Sequence, residues 1–520
     1  MRTANLPVDE PRPPLPAERI AEVPDGTPPD GKDWGHRLAT AGSVLVPAAV
    51  MLRLGLWGLD RGTMWRDESA TYQIARRSLP EILRMLGSLD AVHGLYYLVM
   101  HAVLAVRADE VTLRMPSVIA GACTAGLVAA IGCRLARPRV GLWAGLLYAA
   151  TPFATHYAQE GRSYALVAAG AALATWCLLV AVERRAVRWW AAYVAAVVIT
   201  GALHEFALLM LVAHGTTMLF TRPQEPVRRA WAKAAGTAVA LLLPLVVLSS
   251  LQSAQISWIQ EPGPKDLGLL ALQFAGPGVP VLTASLVLAL TGLLRRLPRT
   301  GPVGLTAVAL PLALLPVVLL FLVSQVKPVF VDRYLFFAFA GVPLLVAAGL
   351  ERLLGILRAA LWRPVVTTVG VAAIAAMFWC QLPFHEKERR KDSRIDDLRA
   401  VAAHVAAEAR PEDAVVYVPA YQRHISLTYT REFAGLRDTA LKSSAAASGT
   451  LYGEEFDGEE IAKRLSGEKR VWVVAWPGAW DQDWFREDPK MRALQRGFQL
   501  VRSTQLKSGL VQLYVRARPR

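Results

Sequence analysis

Between about Ser43 and Pro383 the chain is cut into apolar runs of about 15 to 25 residues. A run of that length crosses a hydrocarbon layer roughly 30 Å thick when it is helical. The runs lie near 38–58, 112–133, 140–156, 164–182, 189–203, 205–220, 234–250, 268–294, 303–323, 334–350 and 364–383. Only 19% of the 520 residues are charged and 54% are hydrophobic, whereas soluble domains carry roughly 25% charge. From His385 onward the sequence changes character and reads as soluble protein. The fold class expected is a polytopic α-helical membrane protein with about 11 transmembrane helices, followed by a C-terminal soluble α/β domain. The expected division is 1–37, a disordered cytoplasmic segment; 38–384, the membrane domain; and 385–520, the soluble domain.

Basic residues in short loops mark the cytoplasmic side of a membrane protein. Arg134, Arg137 and Arg139 form one cluster, and Arg184, Arg185 and Arg188 the next. Arg222, Arg228, Arg229 and Lys233 follow, then Arg295, Arg296 and Arg299, then Arg352, Arg358 and Arg363. The alternate short loops hold only Arg162, Lys265, Lys327 and Arg333, sixteen against four. This alternation puts the C-terminal domain outside. A further run, Ala91–Val106, carries His93 and His101 and is short. It is read as lying along or dipping into the interface, which makes 60–111 one external loop and leaves the N-terminus inside. Six arginines in that loop (Arg61, Arg66, Arg76, Arg77, Arg84 and Arg107) run against the rule, which long loops obey less strictly.

A net charge of +15 raises the question of nucleic acid, but the charge sits where topology requires it, so no nucleic-acid partner is expected. Cys123, Cys133, Cys177 and Cys380 all fall inside apolar runs, which gives neither a disulfide framework nor zinc spacing. Residues 1–37 are rich in Pro, Asp and Glu and bury nothing. The first apolar run begins too late for a cleaved signal peptide and is expected to stay as an anchor. In the tail, Ile395–Ala409 reads as a helix, Ala414–Pro419 and Arg470–Trp476 as buried strands, and Phe498–Thr504 with Gly509–Val515 as a hairpin. It holds no phosphate-binding glycine loop and no nucleophile elbow, which favours an acceptor-binding or structural role.

Charge at the outer ends of membrane spans calls for a functional hypothesis. Four such clusters meet the same side in this topology. Trp65-Arg66-Asp67-Glu68-Ser69 follows the first span, and His156 to Tyr164, with Glu160 and Arg162, is squeezed between two spans. His204-Glu205 interrupts an apolar stretch, and Lys327 to Tyr334 contains Asp332 and Arg333. Singly these read equally well as a solvated turn, a neutralised linker, a polar interface turn and a snorkelling anchor. Together they suit transfer of a glycosyl group from a phosphate leaving group, which needs a base for the acceptor hydroxyl and cations for the departing phosphate.

At these residues the sequence resembles bacterial members of glycosyltransferase family 39, within the C-type superfamily of protein O-mannosyltransferases and lipid A aminoarabinose transferases. Trp65-Arg66-Asp67-Glu68 resembles the family's Asp-Glu loop, and His93-Gly94-Leu95-Tyr96-Tyr97 its His-Pro-Pro-Leu-Tyr-Tyr stretch. Leu113-Arg114-Met115-Pro116-Ser117 is similar to Leu-Arg-Leu-Pro-Ser, and Tyr157 to Leu166 to Tyr-Ser-Gln-Glu-Ala-Arg-x-Tyr-Ala-Leu. Asp332-Arg333-Tyr334-Leu335 matches a late Arg-Tyr-Leu. The resemblance runs over roughly 40–350. Gly94 and Gly161 depart from it, replacing proline and alanine without removing a charge.

The resemblance implies a C-type glycosyltransferase fold and a hexosyl- or pentosyltransferase that works by inverting displacement. Asp67 would be the catalytic base with Glu68 its neighbour. Arg333, Arg162 and Tyr334 would bind the donor phosphate, and His93, Tyr96 and Glu160 would line the substrate; His204 and Glu205, from the third charge cluster, are expected to bind substrate with them. The donor would be a polyprenyl-phosphate sugar, mannose- or arabinose-like, entering from the lipid bilayer. The acceptor would be a glycan, lipid or protein on the extracytoplasmic side of a bacterial plasma membrane. No cofactor is implied with certainty and no metal ligand set is assigned, although outer-face carboxylates leave room for a divalent cation. A membrane transporter or lipid flippase is the competing class, but it would show internal repeats and charges near the midplane.

Overall fold

The computed structural model describes residues 31–294, 297, 301–357 and 362–517. Of the residues used to assign sidedness, Arg295, Arg296, Arg299 and Arg358 lie outside this set, as does 1–30. The first helix, α1, is Gly31–Leu56, so 31–37, expected to be disordered, is helical. This stretch is polar, with Lys32, Asp33, His36 and Arg37, and holds no proline, so the helix extends ahead of the apolar run.

The helices that follow are α2 (Arg66–Ala75), α3 (Leu79–Leu86), α4 (Gly94–Val106), α5 (Glu110–Leu135), α6 (Pro138–Ala150), α7 (Pro152–Ala158) and α8 (Tyr164–Arg184). Next come α9 (Val187–Leu203), α10 (Leu209–Thr221), α11 (Glu225–Leu251), α12 (Pro264–Ala275), α13 (Val279–Leu294), α14 (Leu305–Val323), α15 (Gly341–Leu357) and α16 (Arg363–Glu388). Their starts follow from sequence. Ser78 and Glu81 form a capping box on α3, Asp109 caps α5 by accepting from the Thr112 amide, and prolines open α6, α7 and α12.

Every apolar run expected to span is helical. Among the described residues seven helices are long and apolar enough to cross a membrane alone, and an eighth is counted if the bent pair α12–α13 is one span. The remaining three runs form the shorter helices α6–α7, α9 and α10. Two runs expected to be continuous are broken. The run 268–294 turns by 83° at Gly276-Pro277-Gly278, where both glycines take the left-handed φ values of +102° and +98° that favour glycine. The run 140–156 breaks at Thr151, extended before Pro152 as a pre-proline residue prefers. Ala91–Val106 forms a short apolar helix.

In the tail, α17 is Leu398–Glu408 and the strands are β1 (Ala414–Val418), β2 (Arg437–Asp438), β3 (Leu441–Ser443), β4 (Glu454–Glu455), β5 (Arg470–Ala475), β6 (Phe498–Leu506) and β7 (Gly509–Arg516). The main sheet runs β2-β1-β5-β7-β6. β1 is parallel to β2 and β5, and the β6–β7 hairpin is antiparallel. All of β1 is buried, because α17 covers one face with Leu398, Val401 and Val405. Ile461, Leu465, Met491 and Leu494 cover the other. The tail is an α/β sandwich, as the alternation of helix and apolar strand implies.

Within the bundle α13 packs on α15 and α5 on α6 at a separation that small residues set. A Cβ at Gly349 would fall on the Leu288 carbonyl, and one at Gly141 on the Ala129 carbonyl. Backbone cannot give way as a side-chain tip can. Gly349→Val is therefore expected to cost about 1–3 kcal/mol, seen as a lower thermal midpoint of the detergent-solubilised protein. An unchanged midpoint would contradict the close α13–α15 crossing.

Candidate active site

Asp67 and Glu68 occupy the first turn of α2, a position that suits negative charge. Consecutive helical residues point about 100° apart, and the two carboxylates meet different surroundings. Glu68 is fully buried. Its Oε1 accepts from Arg114 Nε at 2.9 Å and from the Gly161 amide at 2.8 Å, and its Oε2 accepts from Arg114 Nη2 at 2.8 Å. Arg114, also buried, donates its remaining hydrogens to the carbonyls of Leu59, Gly62 and Thr63 at 3.0, 2.9 and 3.0 Å. All five guanidinium N–H groups are thus used. Burial alone would raise the Glu68 pKa, but the Arg114 charge and hydrogen bonds bring it down to about 2.

Asp67 is more open, with its side chain 30% exposed and its Oδ2 3.9 Å from Arg333 Nη2. Arg162 is buried beneath it. It donates to the Thr71 hydroxyl at 3.1 Å and the Asp67 carbonyl at 3.5 Å, and meets His93 Nε2 at 2.9 Å. An arginine can only donate, so His93 Nε2 accepts and the ring proton sits on Nδ1. That proton goes to Asp90 Oδ1 at 2.7 Å, and the Tyr97 hydroxyl donates to the other oxygen of Asp90. A continuous polar chain thus runs from Tyr97 through Asp90 and His93 to Arg162.

Arg333 and Tyr334 stand on an unusually long 3-10 segment, Asp332–Ala340, that leads into α15. The Arg333 guanidinium lies 5.5 Å over Trp258 and 5.6 Å over Tyr334. It closes a groove of about 480 Å³ that Trp258, Leu269, Gln273 and Phe330 also line. The Tyr334 ring packs against His204, tilted by 45° with centroids 4.6 Å apart. His204 is buried with Nδ1 unpartnered; burial, then the neighbouring His93 and two arginines, hold its pKa well below the usual value. A smaller cavity of about 80 Å³ lies among Asp90, His93, His204, Glu205 and Tyr334, where Glu205 accepts from the Ser249 hydroxyl.

The structure thus brings Asp67, Glu68, His93, Arg162, His204, Glu205, Arg333 and Tyr334 to one end of the bundle. Glu160 is buried at the edge of this group, its Oε2 without a hydrogen-bond partner and 4.0 Å from His156 Nε2. Burial raises its pKa against the pull of His156 and Arg394. Tyr96 is fully buried on α4, its hydroxyl likewise unpartnered. Among the described residues no group of three or more His, Cys, Asp and Glu is placed to hold a metal ion. Sequence reasoning missed three members. Arg114 was readable as a charge inside an apolar run; Asp90 and Trp258 carry no local signal.

The chain is similar to known proteins in two ways. The family model described as dolichyl-phosphate-mannose-protein mannosyltransferase matches residues 94–249, a stretch that contains Tyr96, Glu160, Arg162, His204 and Glu205. Among solved structures, ArnT from Cupriavidus metallidurans bound to undecaprenyl phosphate superposes with a TM-score of 0.61 at 16% identity, covering 91% of this chain and 98% of that one. The apo form of the same protein gives 0.61 at 15% identity, with the same coverage. No curated protein matches by sequence. The class is therefore defined: this is a polytopic membrane protein of the C-type glycosyltransferase fold, as the motif series indicated. The matched family is one of glycosyltransferases, and the fold likeness extends past residue 350 into the tail, further than the sequence resemblance reached.

Arg114→Met leaves a charged Glu68 buried and unpaired, and is expected to cost about 3–5 kcal/mol, with Glu68→Gln/Arg114→Met recovering most of it. Because the folded carboxyl titrates below its ordinary 4.5, its contribution of about 3 kcal/mol is complete above pH 4.5 and lost as pH falls toward 2. Thermal midpoints of the three proteins between pH 7 and pH 3 check both points; no loss in Arg114→Met would refute the pin.

Proposed function

We propose that the chain is a membrane glycosyltransferase that moves a sugar from a polyprenyl-phosphate donor to an acceptor hydroxyl by direct, inverting displacement. The observation that carries this reading is the pairing of an open carboxylate, Asp67, with Arg333, a buried-side cation that ends a groove. The ArnT structure holds undecaprenyl phosphate; a lipid-linked phosphate of that kind suits the Arg333 groove here. In the proposed step the acceptor oxygen attacks the anomeric carbon as Asp67 takes its proton. The carbon–phosphate-oxygen bond breaks, and the phosphate leaves with the electron pair, held by Arg333 with Arg162 behind it.

His93 and Tyr334 orient these cations, while Glu68 acts as an anchor because Arg114 and Gly161 occupy both its oxygens. The cavity beside His204 and Glu205 is assigned to the sugar, mannose- or arabinose-like, and Glu160 and Tyr96, with unpartnered oxygens, to polar groups of the substrates. The site and the C-terminal domain are assigned to the extracytoplasmic face of a bacterial plasma membrane, following the arginine alternation.

Removal of a positioned base lowers a rate by about 10²–10⁴-fold. Purified Asp67→Asn, offered radiolabelled polyprenyl-phosphate sugars and cell-envelope extract, is expected to lose transfer by that factor while keeping its thermal midpoint. Full transfer by Asp67→Asn would remove Asp67 from the chemistry. Absence of both transfer and donor hydrolysis in folded wild type would favour the transporter class.

A further inference from the structure

Among the described residues the Asp67 carboxylate has one charged contact, the 3.9 Å approach of Arg333, and its placement comes from its own backbone and the residues beside it. On one side Glu68 is fastened to α5 through Arg114. On the other, Arg114 reaches as far as the Thr63 carbonyl, and the anchors at Arg66 itself belong to the C-terminal domain. The Arg66 amide donates to Asp396 Oδ2 at 3.0 Å. The Arg66 guanidinium lies 4.7 Å over the Trp476 ring and 5.8 Å over Tyr421, two rings packed edge-on at 5.8 Å. Around them, Ser69 shares a 2.6 Å hydrogen bond with Thr428, and the Met64 amide donates to the Tyr429 hydroxyl at 3.4 Å.

The place where Arg66 docks has its own logic. Trp476 follows β5 and Tyr421 follows β1, and these two strands are parallel neighbours. The crevice beyond the carboxyl ends of adjacent parallel strands is where α/β sheets bind ligands. Here a side chain from the membrane domain fills that crevice, and it is the residue that precedes Asp67.

We propose that the C-terminal domain is a positioning element of the active site, clasping Arg66 between Trp476, Tyr421 and Asp396 so that the Asp67 carboxylate is set from both sides. The inference rests on Asp67 as the base. A displacement of about 1 Å at a reacting group costs on the order of 10²-fold in rate. Loss of the clasp should therefore act on turnover and leave lipid-donor binding at Arg333 alone.

The test uses the full chain in detergent. Trp476→Ala is expected to lower kcat about ten- to a hundred-fold with donor KM unchanged, while Trp476→Phe, which keeps an aromatic face, restores most of it. Arg66→Ala combined with Trp476→Ala should add little to either single loss, since both remove one contact. Amide exchange over 64–70 should rise in Trp476→Ala and not in Trp476→Phe, a readout that needs no activity. Unchanged kcat and exchange in Trp476→Ala would overturn the proposal, as would a loss that Trp476→Phe does not rescue. Asp67→Asn assayed in parallel separates the two ideas. If it is inactive while Trp476→Ala is normal, the clasp alone fails; if it is active, the base assignment fails first.

Discussion

A carboxylate removed from water costs several kcal/mol unless its partner satisfies it completely. Glu68 is fully buried, and it can be so because Arg114 spends two N–H groups on it and three on the carbonyls of the loop that carries it. One guanidinium therefore fixes the loop after α1, the start of α2 and, through the Gly161 amide on the same carboxylate, the turn between α7 and α8. Two further polar groups of the site hang on those pieces of backbone. Arg162 is one residue from Gly161, and Asp67 is one residue from Glu68.

The same interaction explains why two adjacent acids have unlike fates. The rotation between successive helical residues sends one carboxylate into the bundle and leaves the other beside Arg333, partly open to solvent. An acid that is ionised, buried and bonded at both oxygens has no capacity left for a proton from a substrate. Its neighbour has that capacity, and its surroundings supply cations without quenching it in a tight ion pair. Division of labour between paired carboxylates by environment is a general device; here α2 gives two adjacent carboxylates environments of that unlike kind.

Much of this was legible in the sequence. Apolar run length gave the helices, since each run had to bury its backbone within itself, and the charges stranded at run ends gave most of the residues that the structure gathers at one end of the bundle. The misses have physical causes. The turn at Gly276-Pro277-Gly278 hid inside an apolar run because hydropathy ignores backbone dihedrals, although two glycines around a proline are themselves a breaker signal. Arg114 sat within a motif quoted only for its likeness, yet a lone arginine in an apolar run has to find a buried partner. Trp258 and Asp396 were out of reach, because what makes them matter is a tertiary contact, with Arg333 and with Arg66, that no local pattern encodes; Asp90 bonds His93 and Tyr97 close by in sequence, and matters because His93 goes on to reach Arg162. The tail illustrates the same limit. Its strands could be read, but its docking on the Asp67 loop depends on where two strand ends fall in space.

A helical bundle that moved its halves past each other to carry a solute would need contacts at its charged end that can be made and broken. The contacts here are of the opposite kind. Arg114 is fully engaged, the Tyr97–Asp90–His93–Arg162 chain is closed end to end, and a domain outside the helices grips the same loop through Arg66. Fixed dipoles and charges that need no rearrangement at the moment of reaction are what electrostatic catalysis requires. The groove ending on Arg333 and the cavity beside His204 both adjoin this frame. Such a frame favours chemistry at one place over passage through it.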